Sequence, residues 1–183
     1  MKEKLNSNEF KTHIEILNKI KSKLRPDKQE LRQIKKILNK VKSLITQPCL
    51  IGGSFAKGTL TKSIHSYLDA DLFIFFNQER DISKGMKLIA KKLRKIKGTK
   101  LKWVYGTRKY LQLITKNLII ELVPVLKLKN PAEAINSVDA SPFHVKWIKK
   151  HIKGLEDEVR LAKAFCNAIN CYGAESYKQG FSA

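Results

Sequence analysis

The sequence predicts an α+β fold in which a small sheet is covered by helices. Apolar residues recur at helical spacing near both ends of the chain, while short, dense apolar runs typical of strands occupy its middle. Hydrophobic residues make up 43% of the chain, which is enough to fill a core. A length of 183 residues suits one domain of ordinary size, or one domain and part of a second.

Two helices are predicted in the first fifty residues. The apolar stripe of the first helix consists of Phe10, Ile14, Leu17 and Ile20. Pro26 can open the second helix, because proline is tolerated in a first turn. The stripe of the second helix consists of Leu31, Ile34, Ile37, Leu38, Val41 and Ile45. We interpret both helices as scaffold that packs on the elements that follow.

Strands dominate the prediction for the middle of the chain. Residues 49–53 predict a short buried strand that runs into a tight turn and a short helix, and residues 68–76 predict a central strand. A basic amphipathic helix follows at residues 81–96. Three more strands are predicted at residues 100–105, 110–115 and 118–125, with a hairpin turn at Lys116-Asn117 between the last two.

The pattern becomes helical again from Ser141 onward. Two helices are indicated, at residues 141–153 and 155–171, with Gly154 as the break between them. Ser141 and Pro142 suit a helix start, with serine as the cap and proline in the first turn.

The charge of the chain predicts a polyanionic partner. Lys and Arg number 37 against 16 Asp and Glu, and the net charge of +21 is far more than solubility requires. Nucleic acid is the commonest such partner, although a lysine-rich proteome with solvated lysines is the alternative explanation. No run approaches the roughly 18 apolar residues of a spanning helix, and the first residues lack the apolar region of a signal peptide. We therefore expect a cytoplasmic protein that does not associate with membranes.

The three cysteines predict neither a disulfide framework nor a zinc site. Cys49, Cys166 and Cys171 are odd in number and lack a paired metal-ligand spacing. We expect all three to be reduced, small apolar residues, as is usual in the cytoplasm.

A first candidate site is the segment from Gly52 to Thr59, where a strand ends in two glycines. Gly53 lets the backbone approach a ligand closely, and Ser54 follows at a predicted helix start, where N–H groups favour an anion. Ser54 can add a hydroxyl donor and Lys57 a positive charge, which suits a triphosphate. Gly58 is not followed by the Lys and Ser or Thr of a Walker loop. An ordinary capped turn is the alternative for this segment taken alone.

A second candidate site is the pair Asp69 and Asp71 at the start of the predicted central strand. Side chains two positions apart on a strand share a face, so these carboxylates lie about 7 Å apart beside an apolar run. Burying them is costly unless a charge compensates, and Mg²⁺ prefers such oxygen ligands. An exposed strand start with two solvated carboxylates is the alternative, which the dense apolar stretch after Asp71 disfavours.

Glu121 is a single acid in an otherwise apolar strand. Its carboxylate needs a partner, which a metal ion on a neighbouring strand would supply, with a lysine as the alternative. Together with the Gly-Ser turn, Asp69, Asp71 and Glu121 predict a two-metal site for nucleotidyl transfer. One metal would activate an attacking 3′-hydroxyl, and the other would stabilise the leaving pyrophosphate.

The chain resembles the archaeal, or class I, CCA-adding enzymes, which are tRNA nucleotidyltransferases of the polymerase-β-like superfamily. The resemblance runs from about residue 10 to the C-terminus. Gly53-Ser54 and Asp69-x-Asp71 are shared with the whole superfamily, whereas later segments point to the narrower family. Those segments are Glu121-Leu122-Val123-Pro124, Val138-Asp139-Ala140-Ser141-Pro142-Phe143-His144, Glu158-Val159-Arg160-Leu161-Ala162-Lys163-Ala164-Phe165, Tyr172-Gly173-Ala174-Glu175 and Gly180-Phe181-Ser182.

The resemblance implies roles for individual residues. It makes Asp69, Asp71 and Glu121 the catalytic, metal-binding carboxylates. Residues implied to contact the incoming nucleotide are Gly53, Ser54, Lys57, Ser141, His144, Lys163 and Tyr172. The chain departs from the family pattern at three of these positions, since the third carboxylate is usually Asp, Lys57 is commonly Arg and Ser141 is usually Thr. The extra methylene of Glu121 shifts its carboxylate by about 1 Å, a distance to which catalytic geometry is sensitive.

The resemblance also implies a domain organisation and a function. Residues 1–137 correspond to the catalytic head domain, and residues 138–183 to a helical neck segment. The implied reaction adds C, C and A to the 3′ end of tRNA from CTP and ATP with Mg²⁺. Because family members continue into domains that grip tRNA and read the incoming base, we expect a C-terminal partner subunit that makes a split enzyme. A nucleotidyltransferase with another acceptor and a non-catalytic RNA-binding subunit stay open as alternatives.

Overall fold

The computed structural model describes residues 7–62 and 68–172, and the side chains from residue 11 onward within these ranges. The helices are α1 (Ser7–Leu24), α2 (Lys28–Ser43), α3 (Gly53–Lys57), α4 (Glu79–Leu93), α5 (Ser137–His151) and α6 (Glu156–Ala168), with a 3₁₀ turn at Pro131–Glu133. The strands are β1 (Cys49–Ile51), β2 (Leu68–Phe76), β3 (Lys100–Val104), β4 (Tyr110–Ile114) and β5 (Leu118–Leu126). The α+β fold class and the predicted order of elements are confirmed. Residues 173–175 and 180–182, which were quoted for the resemblance, lie outside the described residues.

Two predicted helix starts are wrong. Asp27 caps α2 through a capping box with Glu30, so Pro26 precedes the helix instead of opening it. The cap of α5 is Asn136, whose side chain accepts a hydrogen bond from the amide of Val138. Ser141 and Pro142 therefore lie inside α5, because the helix already begins after the Asn136 cap, five residues before Ser141.

The strands form one five-stranded sheet in the order β1-β2-β5-β4-β3. β2 and β5 run parallel in its centre, and the remaining neighbours are antiparallel. The connection from β2 to β5 passes through α4 and the β3–β4 hairpin, so the sheet brings together residues that lie about fifty positions apart.

The two faces of the sheet are covered by different helices. On one face, Ala70, Leu72 and Ile74 of β2 pack in the main core with α2 and α4. On the other face, Phe73 of β2 packs with Val123 and Val125 of β5 and with α5, in a smaller cluster. Side chains alternate along a strand, so Asp69 and Asp71 share this second face with Phe73. The second face is hereafter called the catalytic face.

Both scaffold helices pack on later elements, but α2 packs in the main core and α1 packs on α6. Ile34, Leu38 and Val41 of α2 are buried in the main core. On α1, by contrast, the stripe residues Ile14, Leu17 and Ile20 are 41%, 45% and 39% exposed. The physical reason is that α1 lies mainly against α6, at the edge of the protein.

Candidate active site

The three acids singled out in the sequence lie on the two central strands. Asp69 and Asp71 are on β2, and Glu121 on β5 is the register partner of Asp71. Paired residues on neighbouring strands present their side chains on the same face, so all three carboxylates belong to the catalytic face. The parallel pairing of β2 with β5 thus places Glu121 beside the Asp pair.

The electrostatics of Asp71 show how strongly these carboxylates interact. Burial, together with the negative charges of Glu121 and Asp69, raises the pKa of Asp71 to about 7. The cations Lys57 and Lys163 act in the opposite direction but do not cancel the effect. A bound divalent cation would relieve this repulsion, and carboxylate oxygens are the ligands that Mg²⁺ prefers.

Glu121 is held by two side chains of β4. Its Oε1 accepts hydrogen bonds from Nε2 of Gln112 at 2.8 Å and from the hydroxyl of Tyr110 at 3.3 Å. Burial and the charge of Glu121 raise the pKa of Tyr110 to about 12, so the hydroxyl keeps its proton at neutral pH. Within residues 7–62 and 68–172, no group of three or more His, Cys, Asp or Glu is arranged to hold a metal ion. Assignment of the three carboxylates to a metal site therefore stays a prediction, although their donor chemistry and mutual repulsion fit one.

The turn after β1 packs directly against Asp71. The amide of Gly52 donates to the backbone carbonyl of Asp71 at 2.8 Å. Gly53 has a φ of +60°, and a Cβ built there would stand 1.6 Å from Oδ2 of Asp71. A glycine is thus required at position 53 both for its backbone conformation and for the space that the carboxylate occupies.

Two lysines flank the acids from the side of α3 and α6. Lys57 is half-buried at the end of α3, and burial lowers its pKa while Asp71 raises it. Lys163 on α6 is 5% exposed, and its Nζ donates to the carbonyl and to Oγ1 of Thr59 at 3.4 Å each. Burial and the neighbouring Lys57 lower the pKa of Lys163 to about 8. The two ammonium groups supply positive charge next to the carboxylates, as binding of a triphosphate requires.

The start of the loop after α3 is tied to α6 by contacts that the sequence did not predict. Arg160 donates to the carbonyls of Leu60, at 2.9 Å, and of Gly58. Thr59 is 1% exposed and accepts from Lys163. These contacts fix the distance between α3 and α6. The only signal for them in the sequence is the placement of Arg160 and Lys163 three residues apart on one helix face.

Ser141 and His144 lie on α5, which packs against α3 and β5. Ser141 is half-buried and His144 is exposed. The described contacts do not join either side chain to the carboxylates, so their predicted roles stay predictions. Burial and the negative charge of Asp69 raise the pKa of Tyr172. This interaction indicates that Tyr172 lies closer to the carboxylates than Ser141 and His144 do.

An ion pair at the first turn of α5 fixes that helix to the sheet. Asp139 is fully buried and accepts from both terminal nitrogens of Arg108 and from the amide of Leu126 at 2.7 Å. Arg108 also donates to the carbonyl of Pro124 at 3.2 Å and to Glu79 at 2.5 Å. The sequence analysis quoted Asp139 only as part of a motif and missed Arg108, Gln112 and Tyr110. The alternation of polar and apolar residues along β4 was the available signal for the last two.

Comparison of sequences gives several curated relatives. The chain is 35% identical over 164 residues to the CCA-adding enzyme of Nanoarchaeum equitans, a match that covers 86% of this chain and 40% of the relative. It is 35% identical over 175 residues to the CCA-adding enzyme of Sulfurisphaera tokodaii, which covers 92% and 40%.

The chain is thus similar in sequence to the archaeal CCA-adding enzymes. The enzyme of Archaeoglobus fulgidus agrees with this, at 31% identity over 92% of this chain and 38% of the relative. The chain spans about two fifths of the length of the curated relatives that it matches. No family model matches the chain.

Solved structures share the fold of this chain. The GLD-2/RNP-8 complex superposes with a TM-score of 0.67 at 14% identity, covering 90% of this chain and 51% of that chain. The Cid1 poly(U) polymerase with MgGTP bound gives the same TM-score and identity, with coverages of 86% and 48%. At these identities the match is one of fold, the polymerase-β-like nucleotidyltransferase fold that the sequence predicted. None of the helices in the described part of the chain combines the length and hydropathy of a membrane span.

Proposed function

We propose that this chain carries the catalytic part of a tRNA nucleotidyltransferase that adds CMP and AMP to the tRNA 3′ end from CTP and ATP. The observation that supports it most is the placement of Asp69, Asp71 and Glu121 side by side on the catalytic face. The 35% identity to archaeal CCA-adding enzymes supports the choice of acceptor. In the reaction, the RNA 3′-oxygen bonds to the α-phosphorus, the bond from that phosphorus to pyrophosphate breaks, and the hydroxyl proton passes to solvent.

The carboxylates and the lysines would divide the work. We assign Asp69, Asp71 and Glu121 as ligands of Mg²⁺, which supplies Lewis-acid stabilisation of the attacking and leaving oxygens. Lys57 and Lys163 would bind the triphosphate as point charges, together with the turn at Gly53 and Ser54. We assign Ser141, His144 and Tyr172 to the phosphates and sugar of the incoming nucleotide, on the basis of the resemblance.

Recognition of the rest of the tRNA would need further protein. We propose that residues 1–137 act as the head and residues 138–183 as a neck that a C-terminal partner subunit continues. The resemblance to the head and neck regions of the family supports the boundary between these two parts. Base selection and tRNA grip would then belong to the partner.

Primer extension tests the proposal. A tRNA lacking its 3′ terminus is incubated with Mg²⁺ and labelled CTP or ATP, with the chain alone and with a candidate partner. Asp71→Ala should lower transfer by at least about a thousand-fold, since it removes metal-binding charge. RNA affinity should stay unchanged, because the basic surface is intact. Transfer by Asp71→Ala at the wild-type rate would end the two-metal assignment.

Primer extension, combined with measurements of RNA binding and nucleotide binding, separates the alternatives. Transfer to another acceptor but not to tRNA would indicate a different nucleotidyltransferase of this fold. Salt-sensitive RNA binding, without Mg²⁺-dependent affinity for CTP or ATP and without transfer, would indicate a non-catalytic subunit.

A further inference from the structure

One register row crosses the sheet from the carboxylates to its far edge. Asp71 pairs with Glu121, Glu121 with Gln112, and Gln112 with Lys102. Paired residues share a face, and the bond from Gln112 to Glu121 shows that this face is the catalytic one. Lys100 lies two residues earlier on the edge strand β3 and belongs to the same face. The row therefore runs from the candidate reaction centre to two lysines.

These two lysines are available to a polyanion. Lys100 and Lys102 are exposed, and neither forms an ion pair with a described acid. No acidic residue lies between Asp81 and Glu121 along the chain. On the half of the catalytic face formed by β4 and β3, the only charged residues among the paired positions are therefore Lys100 and Lys102.

The opposite side of the carboxylates is where a triphosphate would bind. Lys57 and Lys163 reach Asp71 from α3 and α6, and α3 packs on β2 at the β1 side of the sheet. In phosphoryl transfer the attacking and leaving oxygens lie roughly in line across the phosphorus. A leaving pyrophosphate on the α3 side therefore requires the attacking hydroxyl to arrive from the side of β5, β4 and β3.

We propose that Lys100 and Lys102 bind backbone phosphates of the acceptor RNA a few nucleotides upstream of its 3′ end. This inference rests on the proposed function, because it takes the carboxylates as the reaction centre. Three strand spacings of about 4.8 Å separate β2 from β3, so Lys102 lies about 14 Å from Asp71 along the sheet. A stacked strand with roughly 3.4 Å per nucleotide covers that distance in about four nucleotides.

A pair of matched double variants tests the inference. The β3 variant, Lys100→Gln/Lys102→Gln, removes two charges from the catalytic face. The control, called the α4 variant, is Lys91→Gln/Lys92→Gln. It removes two exposed charges from α4, which covers the other face of the sheet. Transfer is measured with single-stranded RNA acceptors of two and of eight nucleotides. Binding of the eight-nucleotide acceptor is measured by fluorescence anisotropy at several salt concentrations without metal or nucleotide.

The β3 variant should raise KM for the eight-nucleotide acceptor by about ten-fold, at about three-fold for each exposed ion pair lost. Its KM for the nucleotide, and its KM for the two-nucleotide acceptor, should stay unchanged because neither reaches β3. The salt dependence of RNA binding should fall by about 1.4 in slope, at roughly 0.7 for each phosphate contact in a single strand. The α4 variant should leave all of these quantities near their wild-type values.

Several outcomes would overturn the inference. Equal losses in both variants would mean that only overall charge matters. Unchanged acceptor KM and RNA affinity in the β3 variant, with or without aggregation, would mean that the lysines merely protect an edge strand. If the wild-type chain binds RNA and the β3 variant binds it more weakly, but no acceptor is extended, the RNA surface stands and the proposed function fails. If the wild-type chain extends RNA and the β3 substitutions leave transfer unaffected, the proposed function stands and the RNA surface fails. A wild-type chain that neither binds nor extends RNA would overturn both the RNA surface and the proposed function.

Discussion

At the scale of single residues, the turn glycines show that similar backbone positions can have different roles. Gly53 and Gly58 both have positive φ, at +60° and +75°. A Cβ at Gly53 would meet Oδ2 of Asp71, whereas a Cβ at Gly58 would meet its nearest atom, Cγ of Glu156, at an ordinary 3.7 Å. Conformational strain is therefore common to both positions, and only position 53 also controls a carboxylate.

We expect Gly53→Ala to lower nucleotide transfer by about a hundred-fold, since a displacement of about 1 Å at a reacting centre has that effect. Gly58→Ala is the matched control. It should cost about 1–2 kcal/mol of stability from the left-handed backbone and leave transfer within a few-fold. Thermal unfolding and primer extension on both variants provide the check. Equal effects on transfer would show that backbone strain, and not the contact with Asp71, is responsible.

Gln112 holds the carboxylate of Glu121 in place, so replacing Gln112 should affect both stability and any metal site that Glu121 forms. Gln112→Ala removes the 2.8 Å hydrogen bond to the carboxylate, and we expect a loss of about 1 kcal/mol of stability. If Glu121 binds metal, releasing it should also weaken Mn²⁺ affinity, measured by calorimetry without nucleotide. Ile114→Val, on the same face of β4, is the control and should leave Mn²⁺ affinity unchanged. An unchanged affinity in Gln112→Ala would separate Glu121 from the metal site.

At the scale of elements, α5 is attached through one buried ion pair. Asp139 joins Arg108, the end of β5 and the first turn of α5. Asp139→Ala leaves the buried guanidinium of Arg108 with only the exposed Glu79 as an acidic partner, so we expect it to lower the free energy of unfolding by about 3–5 kcal/mol. Glu79→Gln changes the exposed partner of Arg108 and should stay within about 1 kcal/mol of wild type. Urea unfolding measures both. A small loss for Asp139→Ala would show that apolar packing through Val145 suffices to hold α5.

At the scale of the whole molecule, ion pairs join the first helix to the last described one. Arg25, just after α1, donates to Asp157 of α6, and Lys21 of α1 donates to Glu158 at 2.7 Å. The hydrogen bonds and charges of Arg25 and Arg160 lower the pKa of Asp157 to about 2. The apolar stripe of α1 is only partly buried, and these polar contacts help to attach α1 to α6.

The lowered pKa of Asp157 predicts a pH dependence of stability. Its pKa is lower in the folded state than the ordinary 3.8, so its contribution is present above about pH 4 and is lost as the pH falls toward 2. The free energy of unfolding should therefore decrease more steeply between pH 4 and pH 2 in the wild type than in Asp157→Asn. Urea titrations at several pH values check this. Parallel curves for the two proteins would show that the ion pairs contribute no stability.

Much of this structure follows from short-range sequence pattern. The alternation in β2, the stripe of α2 and the hairpin at Lys116-Asn117 were all predictable, because side-chain period and turn chemistry are properties of a few consecutive residues. The same local rule put Asp69 and Asp71 on one face. The starts of α2 and α5 were less predictable, because Pro26, Ser141 and Pro142 fit a helix start while Asp27 and Asn136 provide the actual caps.

The sequence by itself therefore determined the α+β class, the order of the elements and the pair of acids on β2, and it predicted a polyanionic partner. Only the tertiary structure decided which acid stands beside that pair, which side chains hold Glu121 and which lysines continue its row. It also decided that α1 leaves its apolar stripe exposed and that Arg108 finds Asp139. The physical reason is that strand order, register and helix docking depend on contacts between residues far apart in the chain, whose combined burial and charge no local pattern encodes.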